Sequence, residues 1–155
     1  SEFDDNGTTN SAGGCRGQSH AIYLNSFAEA TVTGSYFHRT NFGHEYKSRA
    51  LINRLLYNRF ANEDGNGSRE VEITEGGLAV LIGNVIQQSA TSDNSTLLGF
   101  ALEAQNAPMA LFAINTTFVH ERRATVFIDS RCESTAHVSD TRFRGAVRSI
   151  RATGH

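Results

Sequence analysis

Leu81-Ile82-Gly83-Asn84-Val85-Ile86 is one of five copies of a single form: an aliphatic residue, a small polar residue three positions later, and a large apolar residue two after that. The other copies place Val32, Ser35 and Phe37, then Leu55, Asn58 and Phe60, then Ala113, Thr116 and Phe118, then Val138, Thr141 and Phe143 in the same relation. The final apolar residues lie 23, 26, 32 and 25 positions apart. A period near 25 that tolerates insertions is the mark of a solenoid, in which each repeat packs only on its neighbours.

About ten residues upstream of each copy is a run in which apolar and polar residues roughly alternate, the pattern of a strand. These runs are Ile22 to Asn25, Glu45 to Ser48, Val71 to Thr74, Phe100 to Glu103 and Val126 to Asp129. Gly, Asn and Ser-rich turns such as 62–68 and 87–96 separate the repeats, so the unit reads strand, turn, strand, loop. Between Ser48 and Phe60 a helical stripe of Leu51, Ile52, Leu55, Leu56 and Phe60 competes with this reading. The repeat alignment assigns its second half to a strand. Leucine-rich and ankyrin arrays lack support, because their leucine or helical signatures are missing. The expected fold is all-β, a right-handed parallel β-helix of about five rungs over 20–143, with a loosely ordered cap over 1–19 and a cap or tail over 144–155.

Stacked rungs lie about 4.8 Å apart, so equivalent side chains sit over one another. Phe37, Phe60, Ile86, Phe118 and Phe143 then form an interior apolar stack. Ser35, Asn58, Asn84, Thr116 and Thr141 mark a bend where amides and hydroxyls satisfy backbone groups. Proline would remove a donor from a continuous ladder, and the single Pro108 is expected in an insertion loop. Cys15 and Cys132 fall about four rungs apart, roughly 19 Å, too far for a disulfide.

The 155 residues carry 14 basic and 16 acidic side chains, a formal charge of −2. That balance argues against a nucleic-acid partner. No apolar run reaches the ~20 residues that insertion into a membrane requires. The opening Ser-Glu-Phe-Asp-Asp is not a cleavable leader, and the chain reads as a mature or excised globular piece.

Several segments resemble bacterial right-handed β-helix proteins of the pectin-lyase-like superfamily, most nearly secreted members without an assigned activity. They are Gly43-His44-Glu45-Tyr46-Lys47-Ser48-Arg49-Ala50, Glu63-Asp64-Gly65, Gly76-Gly77, Gly83-Asn84-Val85-Ile86-Gln87-Gln88 and Asn115-Thr116-Thr117-Phe118-Val119. The resemblance runs from about His20 to Asp129 and implies an extracellular or periplasmic location. In the alginate and chondroitin lyases of that superfamily a Lys-Ser supplies the base and an Arg-x-Gly one rung later the acid. Lys47-Ser48 matches the first element, whereas the second position reads Thr74-Glu75-Gly76.

Strand alternation sends Tyr23, Asn25, Glu45, Lys47, Arg49, Glu70, Glu72 and Glu103 outward on the first sheet. Lys47 and His44 are the candidate acid–base residues of an elimination reaction. Tyr23, Asn25, Glu45, Arg49, Glu70, Glu72 and Glu103 are the candidate substrate-binding residues, and Glu45 with Glu72 would suit calcium. The competing interpretation is a solvated face whose charges pair across rungs. Two functions follow: a module that binds, or binds and processes, extracellular polysaccharide, or a non-catalytic assembly module forming a homo-oligomer through exposed β-helix edges.

Overall fold

The structure is a computed structural model that describes residues 1–7, 18–103, 106–122, 126–146 and 150–153. Among these residues every regular element is a strand, and all pairing is parallel. Each turn of the chain visits three sheets. Sheet I holds β2 (Ile22–Leu24), β5 (Tyr46–Ser48), β8 (Val71–Ile73), β11 (Thr96–Phe100), β14 (Val126–Arg131) and β17 (Ile150–Thr153). Sheet II holds β3 (Glu29–Thr33), β6 (Ile52–Leu56), β9 (Gly76–Ile82), β12 (Asn106–Ile114) and β15 (Thr135–Ser139). Sheet III holds β1 (Glu2–Asp4), β4 (Tyr36–His38), β7 (Arg59–Ala61), β10 (Val85–Gln88), β13 (Thr117–His120) and β16 (Arg142–Arg144). The result is a parallel β-solenoid of about five turns.

The expected apolar stack is the register of sheet III: Phe37, Phe60, Ile86, Phe118 and Phe143 are successive partners. Phe37 and Phe60 lie with ring centroids 4.9 Å apart, and Phe118 and Phe143 5.2 Å apart, both pairs stacked with nearly parallel planes. The structure also extends this column backwards. Glu2–Asp4, within the segment expected as a loose cap, pairs with β4, and Phe3 stacks on Phe37 at 4.5 Å.

The polar column marks the corner between sheets II and III. Asn58 Oδ1 accepts from the Ser35 backbone N–H at 3.0 Å, and Asn84 Oδ1 accepts from that of Asn58 at 2.9 Å. Asn58 Nδ2 donates to the Val32 carbonyl at 2.9 Å, and Asn84 Nδ2 to the Leu55 carbonyl at 2.8 Å. Each buried amide thus closes a gap that the bend opens in the backbone ladder. The segment expected to be one strand through this point is therefore two.

Two further expectations change. The strand of the fourth rung is Thr96–Phe100 rather than Phe100 to Glu103, because Leu98 and Phe100 face Val71 and Ile73. Pro108 sits inside β12, where the register shifts between Asn106 and Ala110, in keeping with prolines being confined to irregular strand positions. Cys132 is a free, half-buried thiol between β14 and β15; Cys15 lies outside the described residues.

Candidate functional site on sheet I

Tyr23, Lys47 and Glu72 are successive partners on the outward face of sheet I, and the column continues through Gly99, Asp129 and Arg151. Alternation places them outward because Ile22, Tyr46, Val71, Leu98 and Ile128, the preceding residues, fill the core.

Glu72 is the centre of this face. Its Oε1 lies 2.9 Å from Lys47 Nζ and accepts from Thr74 Oγ1 at 3.2 Å. Its Oε2 lies 2.5 Å from Arg69 Nη1 and 3.4 Å from His44 Nε2. Burial alone would raise this carboxyl; His44, Arg69 and Lys47 reverse that and hold it at about 2. Gly99 makes the arrangement fit, since a Cβ there would lie 3.1 Å from Arg69 Cδ and 2.8 Å from Leu102 Cδ1. Arg69 crosses the space that the glycine leaves.

His20, His44 and Arg69 form the adjoining column. His20 Nδ1 accepts from the His44 backbone N–H at 3.0 Å, and His44 Nδ1 accepts from that of Arg69 at 3.0 Å. The two imidazoles are stacked, with centroids 4.8 Å apart. They work as the asparagines do at the other corner, each capping the next rung. In the neutral ring of His44 the proton then lies on Nε2, facing Glu72. Burial lowers His44 to about 3, against partial support from Glu72, and burial with Lys47 nearby lowers His20 to about 4.

Arg49 builds the neighbouring edge of the face. Its Nε donates to the Tyr23 hydroxyl at 2.8 Å, and its Nη1 reaches Glu75 at 2.8 Å and Glu103 at 2.7 Å. The Tyr23 ring is 50% exposed, with Lys47 Nζ 6.0 Å from its centroid. Asn25 is exposed, just beyond the end of β2.

The structure thus brings together Tyr23, His44, Lys47, Arg49 and Glu72, and it corrects three placements. Glu45 and Glu70 do not face outward: they are 1% and 0% exposed. They precede Tyr46 and Val71 in the register of Leu97 and Phe127, where the chain bends from sheet III into sheet I and two successive residues point inside. Glu103 is not on the ladder; with the strand ending at Phe100, it meets Arg49 at the corner between sheets I and II. Glu45 and Glu72 therefore lie on opposite sides of the sheet, and the four donors around Glu72 fill the lone pairs that calcium would need. Among the described residues no group of three or more His, Cys, Asp or Glu side chains converges as a metal site.

His20 and Arg69 were not singled out from the sequence. Their spacing was the available signal, because they sit 24 positions before and 25 after His44, one repeat in each direction. As chemistry, the face offers two partly buried donors, Lys47 and Arg49, beside an exposed aromatic ring on a rigid base. Both ring nitrogens of His44 are engaged, and Lys47 is tied to Glu72. No protein-family model, no curated protein and no solved structure shows a significant match to this chain, so the site is interpreted from its own geometry.

Proposed function

We propose that the outward face of sheet I binds polysaccharide without cleaving it, in a secreted or periplasmic module of pectin-lyase-like β-helix type. The observation that carries this is the exposed Tyr23 ring, flanked by Lys47 and Arg49 and braced from below by the Glu72 cluster. An aromatic face with adjacent fixed donors suits a sugar ring, which presents C–H groups on one side and hydroxyls at its edge. Elimination needs a free base, whereas here Lys47 is bound to a carboxylate and His44 has no free ring nitrogen.

Alginate, pectate and chondroitin are the probes, titrated calorimetrically and followed by ultraviolet absorbance for unsaturated uronate. The expected result is binding to at least one of them, no unsaturated product, and a loss of about tenfold in affinity, about 1.4 kcal/mol, in Tyr23→Ala and Lys47→Ala. Absence of binding to all three, or binding untouched by both substitutions, overturns the proposal.

A further inference from the structure

A second surface lies on sheet II, and it is apolar where a solvent-facing sheet is normally polar. Its inward residues, among them Leu55, Ala79, Leu81, Leu111 and Ala113, belong to the core. The alternate positions face out. On β6 these are Ile52, Arg54 and Leu56; on β9 they are Leu78, Val80 and Ile82; on β12 they are Ala110, Phe112 and Ile114. Every one of these is partly exposed. Leu51 and Tyr57, at the two ends of β6, are 39% and 66% exposed. The substantial contacts between strands run between hydrogen-bonded neighbours or across the β10–β11 corner. No described element is laid over this face.

The patch is bounded along the solenoid axis. Its first strand presents Glu29, Thr31 and Thr33, and its last presents Thr135, His137 and Ser139. An apolar centre with a polar rim is the anatomy of a protein interface. We infer that this face joins two copies of the chain, sheet against sheet, with the solenoids antiparallel.

Charge placement selects that partner and that orientation. A two-fold axis parallel to the strands and passing over β9 keeps each outward column on itself and exchanges the first strand with the last. Val80 then meets Val80, Leu56 meets Ile114, and Arg54 meets the partner's Phe112. Arg54 pairs with Glu29 of its own chain and the Phe112 ring stacks on His137, so the guanidinium enters the interface with its charge balanced. On the rim Glu29 meets Thr135 and Thr31 meets His137, so no like charges face each other. An axis along the solenoid would instead set Arg54 against Arg54. Five strands about 4.8 Å apart and five residues of about 3.3 Å outline about 400 Å² per copy. The total, about 800 Å², is the scale of a weak and reversible association.

Analytical ultracentrifugation of the full chain tests this, with sheet I and its ligands uninvolved. The expected result is a reversible monomer–dimer equilibrium. V80E and R54E should each raise the dissociation constant at least tenfold, with unchanged far-ultraviolet circular dichroism. R54E/F112R should restore the dimer, because residues 54 and 112 meet across the two-fold axis. A monomer at all concentrations, an association indifferent to V80E, chains longer than dimers, or no recovery in R54E/F112R overturns the inference.

Discussion

Glu70 shows what this fold demands of single residues. The position is interior, shared by Leu97 and Phe127 in later rungs, and both carboxyl oxygens are buried without a hydrogen-bond partner among the described residues. The Asn62 backbone N–H nearby is engaged with the Gln87 carbonyl at 3.1 Å. Burial, with Glu45 in the neighbouring rung, pushes the Glu70 carboxyl well above the usual carboxylate range. Burial likewise raises Glu45 to about 7, against hydrogen bonds from Thr40. A carboxyl raised on folding stabilises the native state below its unfolded value and withdraws that stability as the pH rises through the folded value. Moving from 4.5 to about 7, Glu45 alone accounts for about 3 kcal/mol. Below about pH 6.5 the depressed His20 and His44 offset this, so denaturant stability should fall as the pH rises from about 6.5 through the Glu45 value of about 7, and fall further as Glu70 ionises. Glu70→Gln, which mimics the protonated form, should remove the Glu70 share of that decline and leave the Glu45 share, and a profile unchanged by the substitution would contradict the assignment. His20, His44 and Glu72 set the acid limb. Depressed histidines withdraw stability as the pH falls below 6.5, and Glu72 does so as the pH falls from 4.5 toward about 2.

Within an element, the corner between sheets II and III is where side chains substitute for the ladder. Asn84 accepts from Asn58 N and donates to the Leu55 carbonyl, and it is buried. Removing it leaves a buried donor and acceptor unmatched at about 1–3 kcal/mol each. Asn84→Ala should thus cost about 2–4 kcal/mol in chemical denaturation, whereas Asn115→Ala, exposed in the same corner one rung on, should cost only the roughly 1 kcal/mol of placing alanine at its left-handed φ of 46°. This corner was legible in the sequence because polar and apolar residues recur there at fixed spacing. The corner entering sheet I was not. Pairs such as Glu45-Tyr46, Glu70-Val71, Leu97-Leu98 and Phe127-Ile128 turn two successive residues inward, which breaks the alternation that a strand reading relies on. The same break disguised the fourth rung. A slip of two residues preserves which residues face in, so only the partner strands distinguish Thr96–Phe100 from the run ending at Glu103. On the candidate site, alternation found Tyr23, Lys47 and Glu72. It missed His20 and Arg69, whose columns depend on backbone hydrogen bonds just outside the strands.

At the scale of the molecule, each rung is stabilised by the one before and the one after, and substantial contacts do not reach further. Stability then behaves as a sum of rung and interface contributions, and opening starts where a rung has one neighbour. Native-state hydrogen exchange should show the slowest amides in β6 to β10, where the Phe60–Ile86 column and both Asn caps lie. Strands β2, β3, β15 and β16 should exchange faster by tenfold or more. Uniform protection along the chain would mean that the solenoid opens as a single unit instead.

The bend capped by Asn58 and Asn84 has one property that the other two corners lack: its length never changes. From Val32 to Phe37, Leu55 to Phe60, Leu81 to Ile86, Ala113 to Phe118 and Val138 to Phe143 the step is five residues each time, while the full repeats vary from 23 to 32. All the variation in repeat length therefore falls at the two remaining corners, including the stretch over 89–95 and the one that carries Glu103. The polar bend acts as a ruler and the other corners as storage, so this architecture can acquire new loops beside the Tyr23 face without disturbing a single column of its core.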